Sequence, residues 1–135
     1  MWMLDTNICS YVLRRHPASV LARFYAARLE DLSISAIVAA ELRYGATRLG
    51  SAKFAALLEQ WLDLLSIAPW PEDASKVYAR IRHELERQGS PIGNMDLLIA
   101  AHALAMDAVL VTNNGREFRR VPGLKLENWT WTDPA

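Results

Sequence analysis

A single cysteine, Cys9, in 135 residues leaves no partner for a disulfide within the chain and too few thiolates for a cysteine-rich zinc site. A reducing compartment suits that count. Excess charge of either sign is also missing. Fifteen Lys and Arg balance fifteen Asp and Glu, so no bulk basic field draws the chain to nucleic acid, whose phosphates normally meet clustered cations. A metal held by acidic side chains would supply positive charge locally instead. Glycine and proline, six of each, are scattered singly and mark neither a linker nor a repeat. No apolar run approaches the ~20 residues of a membrane-spanning helix, and Met1-Trp2-Met3-Leu4-Asp5 lacks the basic-then-apolar order of a signal peptide. The expectation is a cytoplasmic protein with no membrane partner. What is present is an apolar half, 52% of the composition, enough at this length for one core and one domain over residues 1–135, with the tail 129–135 unassigned.

Short apolar runs alternate with helical periodicity. Trp2 to Leu4, Leu32 to Ser35, Ser66 to Ala68, Ala108 to Thr112 and Leu124 to Glu127 have the length and composition of buried strands. Between them Val20, Leu21, Phe24, Tyr25 and Leu29 recur at helical spacing. The spacing predicts further helices over Ala36 to Leu49, with Ser35 as cap and Gly50 as terminator, over residues 52–65, over Glu72 to Gln88, and from Asp96 to Met106. Asn113-Asn114-Gly115 is expected to turn. Alternating strands and helices point to an α/β fold whose central, mainly parallel sheet is covered on both faces.

Three acids stand out against that frame. Asp5 follows the first strand, where open α/β sheets collect their ligand sites, although Asp is also favoured as a helix cap. Glu41 shares a helical face with Ile37, Val38, Tyr44 and Gly45 and has no cation one turn away, so it needs pairing with a distant Arg, protonation or a metal. Asp96 opens the most apolar helix, where it too would suit a cap. Brought to one edge, three carboxylates would repel one another by several kcal/mol unless a cation lay between them. Hard oxygen donors select Mg²⁺ or Mn²⁺. A fourth strand end, Thr112-Asn113-Asn114-Gly115-Arg116-Glu117-Phe118, offers Glu117 or Asn114 as an indirect ligand through water.

Four segments in order, Met3-Leu4-Asp5-Thr6-Asn7, Ala40-Glu41-Leu42-Arg43-Tyr44-Gly45, Pro91 to Ala103, and Val111 to Phe118 followed by Val121-Pro122-Gly123-Leu124, span almost the whole chain. Together the set resembles the PIN-domain family, and specifically the VapC-type toxins of bacterial toxin and antitoxin pairs. The resemblance implies a single three-layer α/β/α domain, Mg²⁺ or Mn²⁺ dependence and endonucleolytic cleavage of RNA, structured RNA such as tRNA above all. It also implies a homodimer and neutralisation by a small cognate antitoxin. Asp5, Glu41 and Asp96 match the family's acidic triad. Asn114 stands where many relatives carry Asp, which leaves Asn114 and Glu117 as alternatives for the fourth role.

On this reading Asp5 and Asp96 are direct metal ligands, Glu41 binds a second ion or orients the attacking water, Glu117 acts through water, and Thr6 and Thr112 support a carboxylate or a phosphate. Arg14, Arg15, Arg43, Arg116, Arg119 and Arg120 would rim the site. His16 and His83 lie outside these segments, His102 sits on the apolar helix as a packed or hydrogen-bonded histidine, and no H-E-x-x-H spacing exists, so zinc-hydrolase chemistry is disfavoured. A phosphatase with Asp5 as nucleophile would usually carry a second Asp two residues on, where this chain has Asn7. The remaining alternative is a PIN-like module that binds RNA or protein without cutting.

Overall fold

The computed structural model describes residues 1–131. Strand β1 (Trp2–Leu4) leads into helices α1 (Thr6–Arg14) and α2 (Ala18–Ala26), a single 3-10 turn (Leu29–Asp31) and β2 (Leu32–Ser35). Helices α3 (Ala36–Leu49) and α4 (Ala52–Leu62) precede β3 (Ser66–Ala68), and α5 (Glu72–Arg87) and α6 (Asn94–Ala105) precede β4 (Val109–Val111). The short α7 (Gly115–Phe118) and β5 (Lys125–Glu127) follow. All four strand pairings are parallel, in the order β3-β2-β1-β4-β5, and the architecture is three-layered, α/β/α.

That order carries the functional geometry. From β1 the sheet grows outward through β2 and β3, then the chain crosses back and grows the other way through β4 and β5. The reversal lies between β1 and β4, where Met3 is level with Leu110 and Leu4 with Val111. At such a reversal the connections leave the strand ends in opposite directions and open a crevice. Asp5 and Thr112 are the first residues beyond those two ends, and Asp5 still donates its backbone N–H to Val111 O at 2.9 Å. Apolar burial holds the strands in place. Leu4, Ile34, Leu110 and Val111 are wholly buried, each contributing on the order of 1.5–3 kcal/mol.

Local chemistry set several boundaries as expected. Ser35 Oγ accepts from Ile37 N at 3.1 Å and caps α3, and Gly50 ends it with φ of 74°, a left-handed conformation that costs glycine little. Elsewhere packing moved the boundary. Helix α4 stops at Leu62 rather than 65, because tighter bonds from Leu64 N to Trp61 O and Leu65 N to Leu62 O turn the chain toward β3. Helix α6 begins at Asn94, closed by Leu97 N to Gly93 O at 2.9 Å, so Asp96 lies inside its first turn and does not cap it.

Asn114-Gly115 does not form a left-handed turn. Asn114 has φ of −109° and opens α7, because the fully buried Phe118 requires the chain to coil inward. Phe118→Ala is expected to cost about 3–5 kcal/mol in urea unfolding, and to loosen the turn that carries Glu117. The start of the unassigned tail also belongs to the fold. Trp129 is buried edge-on to Trp2 at 6.1 Å between ring centres, with the Arg23 guanidinium 5.4 Å above its ring. Residues 132–135 of that tail lie outside the described residues.

Candidate active site

Each acid is held at the crevice by a different element. Asp5, almost wholly buried, accepts from Thr6 N at 2.8 Å through one oxygen and from Thr112 Oγ1 at 2.7 Å through the other. The same Thr112 hydroxyl accepts from Asn114 N at 2.9 Å, locking the β4 exit to the β1 exit. Thr6 Oγ1 donates to Glu41 Oε1 at 2.6 Å, joining α1 to α3. Glu41 is half-buried at the edge, not turned into the core as its apolar neighbours suggested, because Tyr44 and Gly45 on that face are themselves exposed.

Glu117 binds across the chain. Its Oε1 accepts from Gly93 N at 2.8 Å and its Oε2 from Asn114 Nδ2 at 2.7 Å, so Asn114 and Glu117 act together where the sequence posed them as alternatives. A Cβ placed on Gly93 would stand 3.8 Å from Glu117 Oε1 and 3.9 Å from Asp96 Oδ2, which brings the fourth acid beside the third. The role of Gly93 N, a donor from the loop before α6, had no signal in the sequence.

Burial and crowding set the protonation. Desolvation pushes the Asp5 carboxyl up, its bonds to Thr112 and Thr6 pull it back, and the charges of Glu41 and Glu117 push it further up. Asp96 is pushed up to about 7, first by desolvation, then by its hydrogen bond to Glu117 and the charges of Glu117, Asp5 and Glu41. For Glu117, partial burial acts upward, but the bonds from Gly93, Asp96 and Asn114 and the Arg120 charge outweigh it and hold the carboxyl below its ordinary value. Asp96 therefore carries the proton of the pair and Glu117 accepts it.

This donor set fits a hydrated hard cation. Among the described residues no three His, Cys, Asp or Glu side chains already surround one point closely enough to ligate a metal. The acids are all-oxygen donors, and the charges of Glu41 and Glu117 push Asp5 and Asp96 up, a cost that a cation removes. A Mg²⁺ ion that keeps several waters bridges such gaps without a closed protein cage.

The other candidates divide. Arg43 leaves the rim, because Glu59 on α4 binds it at 2.9 and 3.0 Å. Arg14 lies 5.8 Å over the Tyr11 ring, and Arg15 ends α1 in a left-handed conformation. Arg120 donates to Pro91 O at 3.2 Å, beside the Glu117 turn. His102 is buried in structure as expected, its Nδ1 2.7 Å from Ser35 Oγ. Asn7, the residue that weakened the phosphatase alternative, has its side-chain oxygen buried without a hydrogen-bond partner among the described residues.

A family model described as PIN domain matches residues 2–124. The chain belongs to the PIN domain family. Among its relatives, Ribonuclease VapC2 of Rickettsia felis is 44% identical over 131 residues, covering 96% of this chain and 98% of that one. The tRNA(fMet)-specific endonuclease VapC of Shigella flexneri is 38% identical over 130 residues, with 96% and 98% covered. The solved structure of VapBC2 from Rickettsia felis bound to a DNA fragment from their promoter superposes with a TM-score of 0.84 at 42% identity, covering 95% of this PIN domain and 98% of that chain. The family match over residues 2–124 takes in all four acid-bearing segments of this PIN domain.

Proposed function

We propose that this PIN domain is an endoribonuclease toxin of the VapC type, dependent on Mg²⁺ or Mn²⁺ and neutralised by a small cognate VapB-type antitoxin. The observation that carries the reading is the convergence of Asp5, Glu41, Asp96 and Glu117 on the β1–β4 crevice of a fold shared with relatives named as ribonucleases. Its substrate is structured RNA, of which tRNA is the first choice because the Shigella relative is named for tRNA(fMet). The antitoxin follows from the VapBC assembly of the Rickettsia structure. The working unit is a homodimer.

Asp5 and Asp96 would be the direct metal ligands, with Glu41 serving a second ion or the attacking water and Glu117 acting through water. These carboxylates would hold a cation whose chemistry would be to acidify the attacking water and to neutralise charge on the scissile phosphodiester. The chain's own part is positioning. Thr6 and Thr112 fix one oxygen each of Glu41 and Asp5, so these carboxylates need no rearrangement when the phosphate arrives. Gly93 N and Asn114 Nδ2 hold Glu117 ionised, while Asp96 holds a proton that it must lose before it binds a cation.

Purified, antitoxin-free protein incubated with total RNA and Mg²⁺ or Mn²⁺ is expected to produce discrete cuts, with ends mapped by sequencing, that disappear with EDTA or added antitoxin. Folded protein that binds the metal and leaves RNA from several sources intact would replace this reading with a non-catalytic binding module.

A further inference from the structure

We propose that the groove walled by α7, the exit of β4 and the C-terminal segment is an RNA subsite, where Arg116 and Arg119 hold backbone phosphate and Trp131 stacks a base. The proposal rests on the ribonuclease reading and adds the surface that grips the strand next to the cut. The groove encloses about 580 Å³, within the range of small-ligand sites. Thr112, the residue that holds Asp5, lies on its wall, so a strand lying in the groove runs directly to the carboxylates.

Its charge departs from that of the whole chain. Among the described residues three arginines, Arg23, Arg116 and Arg119, line it against one acid, Glu127, and Arg23 already neutralises Glu127 at 2.6 Å. Arg116 and Arg119 are exposed and, among the described residues, form no salt bridge. Arg119 is steadied by its Nε bond to Gly115 O at 3.0 Å, which leaves the outer nitrogens of its guanidinium for a phosphate. A net-neutral protein that concentrates free guanidinium groups beside an acidic edge offers an anionic strand one favourable approach.

Trp131 is 73% exposed, yet the backbone before it is pinned. Asn128 Nδ2 donates to Asn113 Oδ1 at 3.1 Å, Thr130 Oγ1 to Asn128 Oδ1 at 2.6 Å, and Ser19 Oγ to Thr130 O at 3.2 Å. Asn113 in turn donates to the Tyr11 hydroxyl at 3.1 Å. An indole presented in this way is a stacking platform for any base, because every base has a π face. An acidic protein segment would also suit the arginines, but continuing toward Asp5 it would meet like charge, whereas RNA brings its scissile phosphate to a site that holds cations.

Binding is read with a fluorescein-labelled single-stranded RNA of about a dozen nucleotides in EDTA, which stops cleavage, and cutting is read separately on total RNA. The Arg116→Ala/Arg119→Ala variant is expected to bind at least about tenfold more weakly at low salt, with the log–log salt slope reduced by about one to two. Trp131→Ala is expected to lose on the order of tenfold, and Trp131→Phe to recover most of it. Unchanged circular dichroism checks that the folds are intact. Variants that bind and cut RNA like the parent overturn the subsite, and do so equally if they lose only antitoxin binding. A parent protein that binds RNA through these residues but never cuts it would sustain the subsite and remove the ribonuclease reading.

Discussion

Asp5→Asn is expected to lower metal-dependent RNA cutting by about a thousandfold or more, since the proposed mechanism makes Asp5 a direct ligand whose loss forfeits several kcal/mol of charge stabilisation. The same change should raise the melting temperature of the metal-free protein. Asp5 is buried beside Glu41 and Glu117, and its carboxyl is pushed up by desolvation first, so its ionised form at neutral pH destabilises the fold. An amide removes that charge and keeps the acceptor for Thr6 N. One bond is compromised. Thr112 Oγ1 accepts from Asn114 N and donates to Asp5; facing an amide nitrogen, it would accept twice and leave its own proton unpaired. The net gain is therefore smaller than charge removal alone, in keeping with stability given up at active sites. Thermal melting in EDTA and gel assays on total RNA check both halves. A variant that melts lower and still cuts would mean that Asp5 serves the fold and not the chemistry.

Without metal, the protein is expected to lose stability as pH rises from about 5 to about 8, and Mg²⁺ binding near pH 6 is expected to release close to one proton. The sign follows from Asp96. Its folded value of about 7 lies above its ordinary value of 3.8, so between those two the folded state holds a proton that the unfolded chain has lost. Stability from this group is complete below the lower value and lost as pH climbs through the upper one. Glu117 works in the opposite sense, being held below its ordinary 4.5. Its contribution is present above that value and lost on acidification below it, so the two windows overlap only between 3.8 and 4.5.

A cation entering the site must displace the Asp96 proton below about pH 7 and finds it gone above. Calorimetric titration of Mg²⁺ in two buffers of different ionisation enthalpy should show proton release that fades by about pH 8. A flat melting temperature across that range in EDTA, with no proton release, would show that Asp96 titrates as an ordinary carboxylate and that the crowding is relieved some other way.

The local signals in the chain were legible. Ser35 before an apolar helix and Gly50 after it marked the ends of α3, because a cap is decided by residues within one turn. Asp5, Asp96 and Glu117 drew notice as acids at strand ends or a helix start, and Glu41 as an acid on an apolar helix face without a nearby cation. Four features were not legible. Trp129 lodging against Trp2, Glu59 removing Arg43 from the rim and Gly93 N tying down Glu117 join residues distant in the chain, and Phe118 draws Asn114-Gly115 into a helix because the core formed by distant segments buries its ring. Periodicity carries no record of such contacts.

The sequence alone therefore determined which segments are strands and helices, α7 excepted, and that hard, oxygen-donating acids follow the first strand and populate the helices, since hydrophobic period and capping chemistry depend on near neighbours. The tertiary structure decided the order β3-β2-β1-β4-β5, and with it which strand ends share a crevice, which carboxylate carries a proton and where free arginines meet an exposed indole. Those outcomes depend on non-local packing summed over the whole core and on burial that changes the energy of each charge.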